Sequence, residues 1–305
     1  MIDARHKCNL NWITMKSEVS VWLVTTDHLE NSLWFRDDDD FKVGMNYVAV
    51  QAAVSKITVL VFILMSNHVH FILVGTREEV LSFINGYKMR YSKHLRNKYG
   101  IKEFLRRNGV DLQEIPLEDE ALERAIAYVQ MNCVAANICS HPSQYPWGCG
   151  SLFFNPSPQK GIKLKEMSAR ARRLELHCAI PLPEEWKLGE DGVVIPASYL
   201  NVKYVEALFR TPKRMNYFLQ NSSKARKRMG SFDADLPAFR DQIITSAIPD
   251  LCRSLFGKTS FPELSPSEKA EMMRQLRFRF SCNANQLARV TAMSYAEAAK
   301  MLDSY

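Results

Sequence analysis

Several things are missing from this chain of 305 residues, and each absence closes off a class of protein. There is no C-x-x-C pair. The seven cysteines, at positions 8, 133, 139, 149, 178, 252 and 282, form an odd and scattered set, which argues against a zinc knuckle and a disulfide framework and favours a reducing cytoplasm. No apolar run reaches the roughly 20 residues of a membrane span, and the opening Met1-Ile-Asp-Ala-Arg-His-Lys7 has no apolar signal core. A soluble, cytoplasmic protein without membrane partners is expected. Internal repeats, low-complexity tracts and a G-x-x-x-x-G-K-[S/T] nucleotide loop are absent too. What is present is 47% hydrophobic residue, enough for about two domains, and a net charge of +7 that suits a polyanionic partner without requiring one.

The most informative stretch is Ile57 to Val74, two β-branched apolar runs flanking Ser66-Asn67. Run length, composition and the polar turn predict a buried hairpin rather than a helix. His68 and His70 open its second strand, and a period of two turns both imidazoles to one face. On spacing alone they are equally two core histidines or two legs of a metal site.

Around this hairpin, Val19–Thr26 reads as a first strand. Asp37 to Asp40 stand before a helical pattern over 41–54, where acids favour the helix dipole and a solvated turn; a metal site is the less favoured alternative. Thr76 can cap a helix over 77–98, with Glu78 and Glu79 in its first turn and Gly100 beyond its end. The stretch 104–115 could supply another strand, and 117–138 a further helix. The order strand, helix, two strands, helix, strand, helix predicts an α+β fold: an antiparallel sheet with helices on one face. Prolines at 142, 146, 156 and 158 and glycines at 148, 150 and 161 mark that domain's end. We expect boundaries of 1–158, 159–260 and 261–305: a first domain, a mostly helical, basic connecting region and a C-terminal module. Short helices are expected over 203–218 and 236–256. In the module, helices over 269–280, 283–290 and 295–302, with Leu287, Ala288, Val290, Met293, Ala298 and Leu302 inward, resemble a helix-turn-helix or a plain helical hairpin. Ala292 holds the turn position where glycine is usual.

The predicted helix before the prolines carries Tyr128-Val-Gln-Met-Asn132, with Tyr128 and Asn132 on one face. A phenol near a bound cation can attack a phosphodiester, and Asn132 offers an amide oxygen beside it. Taken singly, both residues also fit a packed core.

Four motifs in order resemble one family. Met65-Ser-Asn-His-Val-His-Phe-Ile-Leu73 is similar to its "M-P-N-H-V-H" strand. Lys88 to Ser92 matches its Lys-x-Arg-Tyr-Ser pattern, and Tyr128-Val-Gln-Met-Asn-Cys-Val134 is similar to "Y-I-x-x-N-P-V". Pro142 to Ser151 is similar to "P-x-x-Y-x-W-S-S". The family is the single-tyrosine HUH transposases, in particular the REP-associated tyrosine transposases, and the resemblance covers about residues 10 to 155. It implies a ferredoxin-like fold, with His68 and His70 as ligands of Mg²⁺ or Mn²⁺ and Asn132 at a polar metal-site position. Tyr128 would be the nucleophile, cleaving single-stranded or hairpin DNA through a 5′-phosphotyrosine link that a 3′-hydroxyl later reverses. Monomers and homodimers both occur among such proteins. Cys133 stands where the family has proline and Ala135-Ala136-Asn137 where it has R-A-G, so the target DNA is the part that does not carry over.

The DNA-binding expectation also has its own basis. Lys88, Arg90, Lys93, Arg96, Lys98, Lys102, Arg106 and Arg107 face one acid, Glu103, with Tyr87, Tyr91, Tyr99 and Phe104 interleaved, a pattern of cations for phosphates and rings for bases. Lys88, Arg90, Tyr91, Lys93, Arg96, Arg106 and Arg107 are the contact residues expected. The run Lys224-Ala-Arg-Lys-Arg228 reads as a phosphate contact or as surface charge. The rivals are a DNA-binding regulator that keeps the fold without cleaving and a metal-dependent hydrolase using water. Tyr87, Tyr91 and Tyr99 are the alternative nucleophiles.

Overall fold

The computed structural model describes residues 19–26, 33–101, 109–157, 159–224, 241–280, 282 and 284–303. The first elements follow the expected order: β1 (Ser20–Thr26), α1 (Asp38–Val54), β2 (Thr58–Met65), β3 (His68–Gly75), α2 (Arg77–Tyr99), β4 (Val110–Ile115), α3 (Ala121–Gln130) and α4 (Asn132–Ala135). The four strands form one antiparallel sheet in the order β2-β3-β1-β4.

Local chemistry explains the boundaries. Asp37 accepts the Asp40 N–H and caps α1. Thr76 and Glu79 form a reciprocal capping box at the start of α2. Gly100 ends α2 at φ 70°, a left-handed conformation that glycine adopts without a Cβ penalty. The expected helix over 117–138 breaks at Met131, which separates α3 from α4.

The sheet is covered on both faces, which corrects the expectation of helices on one. On one side Phe71 meets Phe83 and Tyr87 of α2, and α1 packs so close that a Cβ on Gly44 would touch Leu64. On the other side lie Val21, Ile63, Ile72, Val74 and Ile115, all buried. So much apolar surface cannot be left in water, and α3 packs across it, meeting β2, β3 and β4.

Residues 159–224 hold a small hairpin, β5 (Gly161–Lys163) with β6 (Lys187–Gly189), and three helices: α5 (Ala169–Leu176), α6 (Val202–Phe209) and α7 (Pro212–Asn221). Leu164, Trp186, Phe209 and Phe218 join the same apolar core as the sheet. A second core gathers α8 (Asp241–Phe256), α9 (Pro266–Phe280), α10 (Ala284–Thr291) and α11 (Tyr295–Asp303). Here Leu287, Ala288, Val290 and Ala298 are buried, with Met293 and Leu302 packed beside them. Two short helices therefore enclose a turn in which Ala292 takes φ 55°. Among the described residues no helix is long and apolar enough to cross a membrane.

Candidate functional site

The sheet face beneath α3 is built by register. Thr25 on β1 lies opposite His70 on β3 and opposite Asp111 on β4. Opposite residues of an antiparallel pair share a face, so His70, Thr25 and Asp111 form one row. His68, two residues before His70, lies on the same face. The imidazole centroids of His68 and His70 are 4.8 Å apart with their planes at 89°.

α3 lays Tyr128 over this row. Its ring centroid is 6.0 Å from that of His70, edge to face at 87°, and the side chain is half-buried. Burial first, and then the Asp111 carboxylate, push the phenol above its ordinary value of 10.0. On another side of the ring, Lys224 sets its Nζ 4.8 Å from the centroid, a cation–π contact.

The imidazoles are held from behind. His68 Nδ1 is 2.7 Å from Asn67 Oδ1, and His70 Nδ1 is 2.9 Å from Thr25 Oγ1. An amide oxygen only accepts, so His68 donates from Nδ1 and its neutral ring carries the lone pair on Nε2. With His70 donating to Thr25, the same tautomer holds there. This carbonyl- or hydroxyl-backed imidazole is the arrangement in which histidine binds a metal. Asn132 is buried, and its Nδ2 donates to the carbonyls of Tyr128, at 3.0 Å, and Val129, at 3.1 Å. Those bonds close the end of α3, so any contribution to a metal shell rests on Oδ1. Among the described residues no three His, Cys, Asp or Glu side chains gather closely enough to hold a metal by themselves.

The residues expected to contact DNA are placed differently. α2 lies against the sheet face opposite His68, His70 and Tyr128. Tyr91 is fully buried, clusters with the rings of Trp34 and Tyr87, and donates its hydroxyl to the Trp34 carbonyl. It cannot stack on a base, and the expectation is corrected: its position on α2 turns inward. Tyr87 is buried beside it, and Tyr99 donates to Asp40 beneath the guanidinium of Arg36. None of the three reaches the histidine face, which removes them as alternative nucleophiles. Lys88 is buried as well, 8% exposed, and is corrected on the same ground. Arg90 donates Nε to Gln51 of α1, while Lys93 and Arg96 are exposed. Arg106 and Arg107 lie outside the described residues, as do positions 225–228 of the second basic run.

Two residues of the site are new relative to the sequence reading, and a third, Lys224, is named there without its place beside Tyr128. Thr25 and Asp111 are joined to His70 only by cross-strand register, which no local spacing reveals. Lys224 belongs to the basic run read as a phosphate contact or as surface charge, and its place beside Tyr128 comes from the structure.

No protein-family model matches the chain, and no curated protein does. A solved structure of a REP-associated tyrosine transposase bound to a REP hairpin is similar at 12% identity with a TM-score of 0.36, covering 43% of this chain and 77% of that one. A likeness at that level identifies no family, and the functional reading stands on the site itself.

Proposed function

We propose that this protein is a metal-dependent, single-tyrosine DNA nuclease and strand transferase acting on single-stranded or hairpin DNA. One observation carries the reading: two histidines on a strand and a tyrosine on a distant helix converge on one sheet face, with His70 and Tyr128 at 6.0 Å. The strand order β2-β3-β1-β4, with its β-α-β-β-α-β connectivity, supports a ferredoxin-like reading of the fold.

The donor set fits a divalent ion held by His68 and His70 through Nε2, with Asn132 Oδ1 and DNA oxygens available to complete the shell. Two nitrogens are a softer set than Mg²⁺ prefers, so Mn²⁺ is the better probe. When bound, such an ion would polarise the scissile phosphate. The chain's own part is to aim Tyr128. α3 is anchored by Ile126, Ala127 and Val129, all fully buried, so the ring is held in place before substrate arrives. The phenolic oxygen forms a bond to phosphorus as the P–O3′ bond breaks. The phenol proton passes to solvent, the departing 3′-oxygen takes one up, and the 5′-phosphate stays on the tyrosine. Attack by a 3′-hydroxyl reverses each step, so no external energy source enters. The net charge of +7 suits the polyanion.

The test uses end-labelled hairpins from the DNA flanking the gene, incubated with protein and Mn²⁺ and resolved on a denaturing gel. A slow, protease-sensitive band is expected, reduced by more than about a thousandfold in Tyr128→Phe and lost in His68→Ala. Nicking without a covalent band would show that water is the nucleophile. Binding without any cleavage, across several flanking sequences, would make the protein a regulator.

A further inference from the structure

We propose that Lys224 is a phosphate-contacting residue of this site: its ammonium meets the scissile phosphodiester as the strand arrives at Tyr128. The inference rests on the nuclease reading and extends it to a region that the sequence assigns to a connection.

The placement of Lys224 is built by packing. α7 lies along α3, burying Met215, Phe218 and Leu219. Arg214 of α7 bonds Glu120 at 2.8 Å and Glu123 at 3.2 Å, at the N-terminal end of α3. α7 ends at Asn221, and three residues later Nζ of Lys224 stands 4.8 Å from the centroid of the Tyr128 ring. A cation over the ring face stands beside the path of attack, because the hydroxyl leaves from the ring edge. The nucleophile is thus flanked by His70 edge-on and by Lys224 on a face.

Charge gives the placement a purpose. Asp111 shares a row with Thr25 and His70 on the sheet face that Tyr128 covers, so its carboxylate brings negative charge to the site, and an arriving phosphodiester brings more. A phosphorus within attacking distance of the phenolic oxygen, about 3 to 3.5 Å, puts its non-bridging oxygens within the sweep of a lysine on a flexible four-carbon stem. Lys224 can therefore offset Asp111 and hold the phosphate in the same movement.

The test has two arms on the full chain. In the first, binding of a hairpin with single-stranded flanks is measured by fluorescence anisotropy against salt in Tyr128→Phe, with and without Lys224→Gln. Lys224→Gln is expected to weaken binding about tenfold and to reduce the log–log salt slope by about one. In the second, with Tyr128 present, Lys224→Gln is expected to slow adduct formation at saturating DNA by about a hundredfold, and Lys224→Arg to stay within about fivefold of the parent. Melting temperatures of all variants accompany both arms. An unchanged salt slope with an unchanged adduct rate overturns the inference. So does faster adduct formation in Lys224→Gln, which would make the lysine a cover over the tyrosine. Equal losses in the Arg and Gln variants with a fallen melting temperature overturn it too, in favour of packing. If the parent protein forms no adduct, the nuclease reading fails while the binding arm still decides Lys224.

Discussion

Thr25 decides which nitrogen of His70 is available. Its Oγ1 lies 2.9 Å from Nδ1, and in the tautomer that donates from Nδ1 the lone pair lies on Nε2 and the ring is held in place. Thr25→Val keeps the shape and removes that partner. Mn²⁺ affinity, measured by isothermal titration calorimetry, is expected to fall about tenfold or more, the usual effect of losing a partner behind a metal-binding histidine. Unchanged affinity would mean that the Thr25 contact does not orient His70 toward a metal. The same scale shows what could be read in advance. The period of two joined His68 to His70, and the four-residue spacing joined Tyr128 to Asn132, because both rules act within one element. Thr25 and Asp111 enter through register, and Lys224 through the packing of α7 on α3, so neither follows from local spacing. The interleaved cations and aromatics of α2 misled for a different reason. Counting charges along a segment ignores the helix period, and that period turns Tyr87, Lys88 and Tyr91 inward.

At the scale of elements, the start of α1 and the end of α2 share a buried polar cluster. The acids of 37–40 were expected to cap a helix in a solvated turn. Asp37 does cap it, but it and Asp40 are 4% and 0% exposed. They are buried because Lys98 reaches both, at 2.7 and 3.0 Å, and His94 reaches Asp40 at 2.8 Å. Burial works to raise the Asp40 carboxyl, yet the bonds from His94 and Lys98 hold it below its ordinary value of 3.8. A carboxyl lowered on folding contributes stability above its unfolded value and loses it as pH falls through the folded one. Burial works to lower Lys98, and the two aspartates outweigh it and raise it above 10.5, so its contribution is lost only as pH rises beyond that. The cluster thus supports the fold through neutrality and weakens in acid. Asp40→Asn is expected to cost about 2 kcal/mol in urea at pH 7, since it removes the charge of a fully buried carboxylate that accepts from Lys98, His94, Tyr99 and the Arg36 N–H. The difference from the parent should shrink below about pH 4. Asp37→Asn should stay within about 1 kcal/mol, because asparagine caps as well and because burial and Asp40 already disfavour the charge at 37. Equal losses in the two variants would refute this division of roles. The caps of α2 were legible because capping is local chemistry. The pairing of β5 with β6 was not, since three-residue strands carry no period.

At the scale of the whole molecule, the two cores meet behind the histidine hairpin. Arg279 of α9 is buried, with Nη2 on Asp38 at 2.5 Å. Its carbonyl accepts the Ser66 hydroxyl at 3.1 Å. Ser66 is the turn residue just before Asn67 and His68, and its own carbonyl accepts the N–H groups of Trp34 and Phe35. Arg36 adds a contact to Asp250 on α8 at 3.7 Å. The C-terminal helices therefore brace the turn from which the first histidine springs. A helical module that only followed the sheet domain along the chain would have no such hold. Arg279→Ala keeps the backbone carbonyl for Ser66 and removes the ion pair. The Asp38 left behind sits in the first turn of α1, where a carboxylate is favoured, so the loss should fall on the joint rather than on either core. Scanning calorimetry is expected to show one transition in the parent and two in the variant. The transition of the C-terminal core should be lower by the roughly ten degrees that about 2 kcal/mol of lost coupling represents in a domain of this size. A single transition at the parental temperature would show that the apolar contacts alone join the cores, and that Arg279 braces nothing.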